Sequence, residues 1–142
     1  MTQAEDEARR TDNFDLVTRL YAAHAAKDAD SFSACIADDI VFEAPAYRPD
    51  GKPVATGRDE MSRIFQVLCE RFTTMEYAIK RFIPAVDPDL VLAEVKGNNL
   101  VATNDTYYRN NYLFLITCQD GRIKHIFEYS NPEVYAATAG AN

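Results

Sequence analysis

The alternation of apolar and polar positions over residues 107–132, YYRNNYLFLITCQDGRIKHIFEYSNP, reads as two strands folded about Gln119-Asp120-Gly121-Arg122. Asp-Gly is a strong hairpin signal, because both central residues of a type I′ turn need positive φ. With a two-residue turn and strict period-two alternation, Leu115 faces Ile126, Leu113 faces Glu128 and Asn111 faces Ser130 on one side. The other side carries Tyr112 with Tyr129, Phe114 with Phe127, and Ile116 with His125. A sheet that is apolar on both faces has to be covered twice. The first face sets a single carboxylate, Glu128, among Leu113, Leu115 and Ile126, with Asn111 and Arg109 further along. It is either a pocket or an awkward piece of core.

Upstream the period changes. From Asn13, the positions Phe14, Val17, Leu20, Tyr21 and His24 fall at helical spacing, with Asp12 or Asn13 as the cap. A short second helix follows Asp28, with Phe32, Cys35 and Ile36 on one face, and ends near Asp38-Asp39. Ile40-Val41-Phe42 reads as a strand stopped by Pro45. Residues 45–56 hold three of the six prolines and form a loop long enough to act as a flap. Thr56-Gly57-Arg58-Asp59 opens a third helix with Met61, Ile64, Phe65, Leu68 and Phe72 as its stripe. Residues 77–83 alternate, Asp87-Pro88-Asp89 turns, residues 90–95 form another strand, and 98–106 is a polar connection. A last short helical turn covers 132–137. The plan is α+β: three N-terminal helices packed on a curved, mostly antiparallel sheet of about four meandering strands. Residues 1–12 are expected as a flexible lead-in, 13–137 as one domain and 138–142 as a disordered tail.

Composition narrows the function classes. At 142 residues, 47% hydrophobic and 26% charged, the chain is one domain able to bury a core without staples. No apolar run approaches the length that spans a bilayer, so no membrane segment is expected. A net charge of −7 with no basic stripe makes nucleic acid a poor partner. Cys35, Cys69 and Cys118 are odd in number, widely spaced and set in apolar patterns, which fits reduced thiols in a cytoplasm better than disulfides or a metal site.

Residues 17–45, VTRLYAAHAAKDADSFSACIADDIVFEAP, resemble the opening of ketosteroid isomerases and the wider nuclear-transport-factor-2-like, or SnoaL-like, superfamily. Asp120-Gly121-Arg122-Ile123 and Glu128-Tyr129-x-Asn131-Pro132 look most like the phenazine-biosynthesis A/B branch. The resemblance covers residues 13–135. It implies an α+β cone around a deep apolar pocket, and a homodimer through the outer sheet face formed by Tyr112, Phe114, Phe127 and Tyr129. It also assigns positions. The isomerase's general-base aspartate falls on Ala44, its oxyanion-hole tyrosine on Leu20, and the third-helix histidine of the phenazine branch near Ile64. The acidic residue of that branch's last strand matches Glu128.

Two catalytic candidates follow. Glu128, desolvated among aliphatic side chains, would have its pKa raised above roughly 4.3 and so suit proton transfer; the alternative is a position near the sheet edge, neutralised by Arg109 or by solvent. His24 lies one helical turn past Leu20, which the resemblance points at the pocket, so it is either a second proton-transfer group or a capped histidine near a helix end. Expected to line the ligand site are Leu20, Phe42, Tyr47, Tyr108, Asn111, Leu113, Leu115 and Ile126. His125 is read as an interface residue. No phosphate loop, Ser-His-Asp order or metal-spaced cluster is present, so no cofactor and no metal are expected. Two functions stay open. One is a small-molecule enzyme doing cofactor-free acid/base chemistry (isomerisation, cyclisation, dehydration or condensation) on a hydrophobic cyclic substrate. The other is a non-catalytic dimeric binding protein for a small hydrophobic ligand. With Ala44 and Leu20 where the isomerase keeps its pair, its own mechanism is not expected.

Overall fold

The computed structural model describes residues 2–140 of the chain. Helix α1, Gln3–Ala26, starts at Gln3 and not at Asn13. Thr2 Oγ1 accepts from the Glu5 N–H and the Glu5 carboxylate accepts from the Thr2 N–H, both at 3.1 Å, a reciprocal cap. The residues expected as a frayed lead-in are helical and tied down by the turn over residues 85–89. Arg9 pairs with Asp89 at 3.2 Å, Arg10 Nη2 donates to the Ala85 carbonyl at 3.1 Å, and Asn13 Nδ2 donates to the Pro88 carbonyl at 2.9 Å. Asn13 is therefore a buried side chain within the helix, not its cap. The core face of α1 is the periodic stripe Leu16, Val17, Leu20, Tyr21 and His24.

Asp28 caps α2, Ala29–Cys35, accepting from the Ser31 N–H at 3.1 Å; Phe32 and Cys35 are buried. Strand β1, Ile36–Glu43, begins directly after it, so Asp38 and Asp39 lie in a strand and not at a helix end. The charges of Asp38 and Asp39 are held by Arg58 and Lys124. The segment read as a flap contains a 3-10 turn, Pro45–Tyr47, and a two-residue strand, β2, Ala55–Thr56. Helix α3, Arg58–Arg71, starts on Gly57 at φ 86°, and Thr56 provides no side-chain cap to it. Lys27, itself in the left-handed region at φ 53°, donates from Nζ to the carbonyls of Cys69 and Phe72 at the far end of α3.

The remaining strands are β3 (Phe72–Thr74), β4 (Tyr77–Pro84), β5 (Leu90–Val101), β6 (Tyr107–Gln119) and β7 (Arg122–Tyr129), followed by α4 (Pro132–Ala137). Strand β5 runs on through residues 98–101, expected as a connection, because Asn99 and Val101 continue the buried parity of Val95 and Gly97. All seven strands form one sheet in the order β2-β1-β7-β6-β5-β3, with β4 also paired to β5. Only the β1–β7 pair is parallel. Three helices cover the concave face, giving an α+β cone. Thr138 and Gly140, expected in a disordered tail, hydrogen-bond to the Val134 and Tyr135 carbonyls; residues 141 and 142 lie outside the described residues.

The β6–β7 hairpin corrects the strict alternation. Asp120 and Gly121 take the positive φ of a type I′ turn, 52° and 74°, and Gln119 pairs with Arg122 and Cys118 with Ile123, as a two-residue turn requires. Beyond these pairs Thr117 faces His125, which leaves Lys124 as a β-bulge. Every later pair is displaced by one: Ile116 faces Ile126, Phe114 faces Glu128 and Leu113 faces Tyr129. A one-residue slip exchanges the faces of one strand relative to the other. Tyr108, Asn110, Tyr112, Phe114 and Ile116 thus point to the core. Leu113 and Tyr129 lie outside, 37% and 51% exposed, with Leu115 and Phe127 half-buried. The bulge lets Ile123 and Ile126 both be buried, while the extra residue, Lys124, reaches Asp39 at 3.2 Å.

Candidate functional site

Between the helices and the inner face of the sheet lies a cavity of about 320 Å³. Helix α1 contributes Leu20, Tyr21 and His24, spaced to share one side of the helix. Helix α3 contributes Met61, Ile64, Phe65 and Leu68, β1 contributes Phe42, and Ala44 follows directly after β1. The sheet supplies Tyr77, Tyr108, Tyr112, Phe114, Ile126 and Glu128, while Tyr47 and Tyr135 come from the 3-10 turn and α4.

Glu128 is the carboxylate of this cavity and takes part in no ion pair among the described residues. Burial pushes its pKa up to about 7, with a smaller opposing effect from Ser130, whose hydroxyl donates to Oε2 at 3.0 Å. Behind Ser130 stands the Tyr47 hydroxyl at 3.1 Å. Since Ser130 has one proton and gives it to Glu128, Tyr47 donates to Ser130 when Glu128 is ionised. Tyr108 accepts from Asn110 Nδ2 at 2.7 Å and from the Tyr112 hydroxyl at 3.1 Å. Asn110 is held in turn by the Asn131 carbonyl, at 2.9 Å. Burial raises the pKa of all five tyrosines near Glu128 (Tyr21, Tyr47, Tyr77, Tyr108 and Tyr112), and the negative charge of Glu128 adds to the shift in each.

His24 sits in an aromatic box of Tyr21, Phe32, Phe65 and Tyr77, with ring centroids 5.2–5.3 Å away. Its Nδ1 lies 2.9 Å from the Leu20 carbonyl, so the proton resides there and Nε2 carries the lone pair. Burial lowers its pKa to about 4, which leaves the ring neutral at physiological pH. It is both packed and in the cavity wall.

The structure brings together Glu128, His24, Leu20, Phe42, Tyr47, Tyr108 and Ile126 from the residues expected at the site. It removes three: Asn111 and Leu113 are exposed on the opposite face and Leu115 is half-buried there, because the bulge at Lys124 slides β6 by one position. Tyr112 and Phe114, expected on the outer face, take their places in the wall. Arg109 is not Glu128's partner; it stacks on Tyr107 at 4.8 Å and donates from Nε to Asn98 Oδ1 at 3.0 Å. His125 sits beside Glu43, with Nε2 and Oε2 2.6 Å apart. Tyr21, Tyr77 and Tyr135 were missed as wall residues; the aromatic stripe at helical spacing in α1 was the available signal for Tyr21. Ala44, Leu20 and Ile64, where the resemblance places ionisable groups, all line the cavity as apolar side chains. Among the described residues no three His, Cys, Asp or Glu side chains converge on a possible metal position.

Comparison with known proteins bears on this geometry. Residues 17–126 match the model of the SnoaL-like domain. YesE, an uncharacterized protein of Bacillus subtilis strain 168, is 26% identical over 117 residues, covering 82% of this chain and 79% of YesE. The crystal structure of a proposed isomerase from Bacillus subtilis superposes with a TM-score of 0.83 at 23% identity, covering 94% of this chain and 96% of its own. A phenazine biosynthesis-related protein, PhzB2, from Pseudomonas aeruginosa superposes with a TM-score of 0.79 at 17% identity, covering 98% and 92%.

Proposed function

The chain belongs to the SnoaL-like family, and on that premise we propose that it is a small-molecule enzyme carrying out acid/base chemistry without a cofactor on a hydrophobic cyclic substrate. The observation that carries this reading is Glu128: a lone carboxyl in an aromatic cavity, populated in both protonation states near neutral pH. Ser130 holds Oε2, which leaves Oε1 to take a proton from a substrate and return it at a second position, or to protonate a departing hydroxyl. The Tyr77 hydroxyl accepts from Asn99 Nδ2 at 3.2 Å, so its own proton is available for charge developing on a substrate oxygen. Against steroid isomerisation by an aspartate–tyrosine pair stand Ala44 and Leu20, apolar cavity residues at the positions where the resemblance places that pair.

One observation favours a second reading, a binding protein. The candidate companion base, His24, has its pKa lowered to about 4 and is a weak base. In that reading Glu128 only orients a ligand by hydrogen bonds. The two separate in solvent deuterium exchange at the acidic carbon of cyclic ketones such as 2-tetralone, read by mass spectrometry. The enzyme reading expects exchange that falls by roughly 10²–10⁴-fold in Glu128→Gln, while ligand affinity changes little. Equal exchange in native protein and variant would sink it.

We also propose that two copies pair through the outer sheet face, with the chain resident in the cytoplasm, where its free thiols Cys35, Cys69 and Cys118 stay reduced. Tyr107, Leu113 and Tyr129 are exposed there beside half-buried Leu115 and Phe127. Arg81 and Glu94 are paired at the surface of the adjoining strands, so both signs of charge are at hand for a patch that meets itself about a two-fold axis.

A further inference from the structure

The cavity carries information about ligand charge as well as shape. Among its lining residues there is no lysine or arginine, and its one charged side chain is the acid Glu128. The other polar atoms facing a ligand divide unevenly. Glu128 Oε1 is an acceptor when ionised, and His24 Nε2 is an acceptor because Nδ1 holds the ring proton against the Leu20 carbonyl. The Tyr112 hydroxyl is spent on Tyr108, and that of Tyr47 on Ser130. The donors left to a ligand are neutral phenols, such as the Tyr77 hydroxyl, and bring no positive charge. A ligand carboxylate would sit beside Glu128 with no cation to offset the repulsion or the loss of its hydration. We propose that this pocket is a charge filter, taking an uncharged apolar ring, such as a phenol, an alicyclic alcohol or a cyclic ketone, and refusing carboxylates and other anions.

The inference rests on the reading of the cavity as a ligand site and deepens it by fixing the substrate class. It does not depend on turnover. The groups that face Glu128 from the surrounding elements are Tyr21 and His24 on α1, Tyr77 on β4, Tyr108 and Tyr112 on β6, and Tyr47 on the 3-10 turn. Burial keeps the tyrosines protonated and His24 neutral, so between mildly acidic and mildly basic pH the charge of the cavity changes only at Glu128.

The test compares 2-naphthol with 2-naphthoate, one ring bearing a donor or an anion, by calorimetry or ligand-observed NMR. At about pH 8 the native protein should bind the naphthol at least roughly tenfold more tightly than the naphthoate. The ratio should narrow at about pH 5.5, where Glu128 is mostly protonated and can itself donate. In Glu128→Gln, with folding checked by circular dichroism, it should be narrow at both pH values. The pH series on native protein keeps the test decisive if that variant folds poorly. Naphthoate binding as tightly as naphthol at pH 8, a ratio that does not change with pH, or no binding of naphthol at millimolar concentration would each overturn the proposal. Failure of the filter would leave the deuterium-exchange result standing. Loss of exchange with the filter intact would remove only the enzyme reading.

Discussion

Glu128 and His24 are ionisable groups whose burial works against their charged forms, and their effects on stability have opposite signs in pH. The folded-state pKa of Glu128 is raised from 4.5 to about 7. Its neutral form is therefore favoured by folding, and the stability associated with it is present below the unfolded value and lost as pH rises through about 7. Above that pH the carboxylate costs on the order of 3 kcal/mol, from roughly 1.4 kcal/mol per pKa unit. The pKa of His24 falls from 6.5 to about 4, so its contribution is present above 6.5 and lost as pH falls toward 4. Glu128→Gln should thus raise the urea midpoint at about pH 8 by an amount that vanishes near pH 4.5. An equal change at both pH values would show that Glu128 is not desolvated in the native state. A stabilising substitution at a candidate catalytic position is what a strained functional site produces.

At the scale of elements, the β6–β7 hairpin and its neighbour β5 position the polar groups. Gly97 in β5 lies against the Tyr112 ring on β6: a Cβ built there would come 2.8 Å from Tyr112 Cε2. The glycine lets Tyr112 lie flat enough to reach Tyr108. Gly97→Ala is expected to destabilise the protein by about 1–3 kcal/mol through overpacking, measured by thermal unfolding, and to weaken naphthol binding by displacing Tyr112. An alanine variant with unchanged stability and affinity would show that the ring has room to move. The turn of this hairpin was readable from Asp120-Gly121, but its register was not taken from the sequence. The signal was present: Ile123-Lys124-His125-Ile126 sets two polar residues between two isoleucines, a spacing of three that strict alternation cannot bury on one face. Arg109, Asn111 and Thr117 likewise share a parity in β6 that belongs to the wet face.

For the whole molecule, the corrected register decides which surface is left for a partner. The outer patch consists of Leu113, Leu115, Phe127 and Tyr129, with Phe127 and Tyr129 in ring contact at 5.1 Å. If the proposed pairing of two copies uses this face, Phe127→Lys should sediment as a monomer where the native protein sediments as a dimer. An unchanged dimer would place the interface elsewhere. No helix among the described residues is long and apolar enough to cross a membrane.

Helix periodicity, turn chemistry and the run of α before β were enough to give most of the elements and the α+β plan, because each of these is a local property of the chain; the cone came from the resemblance. Glu128 and Ile126 were placed at the cavity for the same reason: alternation within one strand carries a residue to its face without reference to a neighbour; Leu20 was placed there by the resemblance. What the tertiary structure alone decided was how strands sit against each other. The bulge at Lys124 is set by the packing of Ile123 and Ile126 and by the ion pair to Asp39 on a strand distant in sequence. It moved Asn111, Leu113 and Leu115 out of the site and brought Tyr112 and Phe114 in. The helical start at Gln3 has a local signal in the Thr2–Glu5 cap, and contacts to a turn more than seventy residues away hold the first turns in place. The proton on His24 and the hydroxyls arrayed around Glu128 depend on distances across the fold, which period and propensity do not contain.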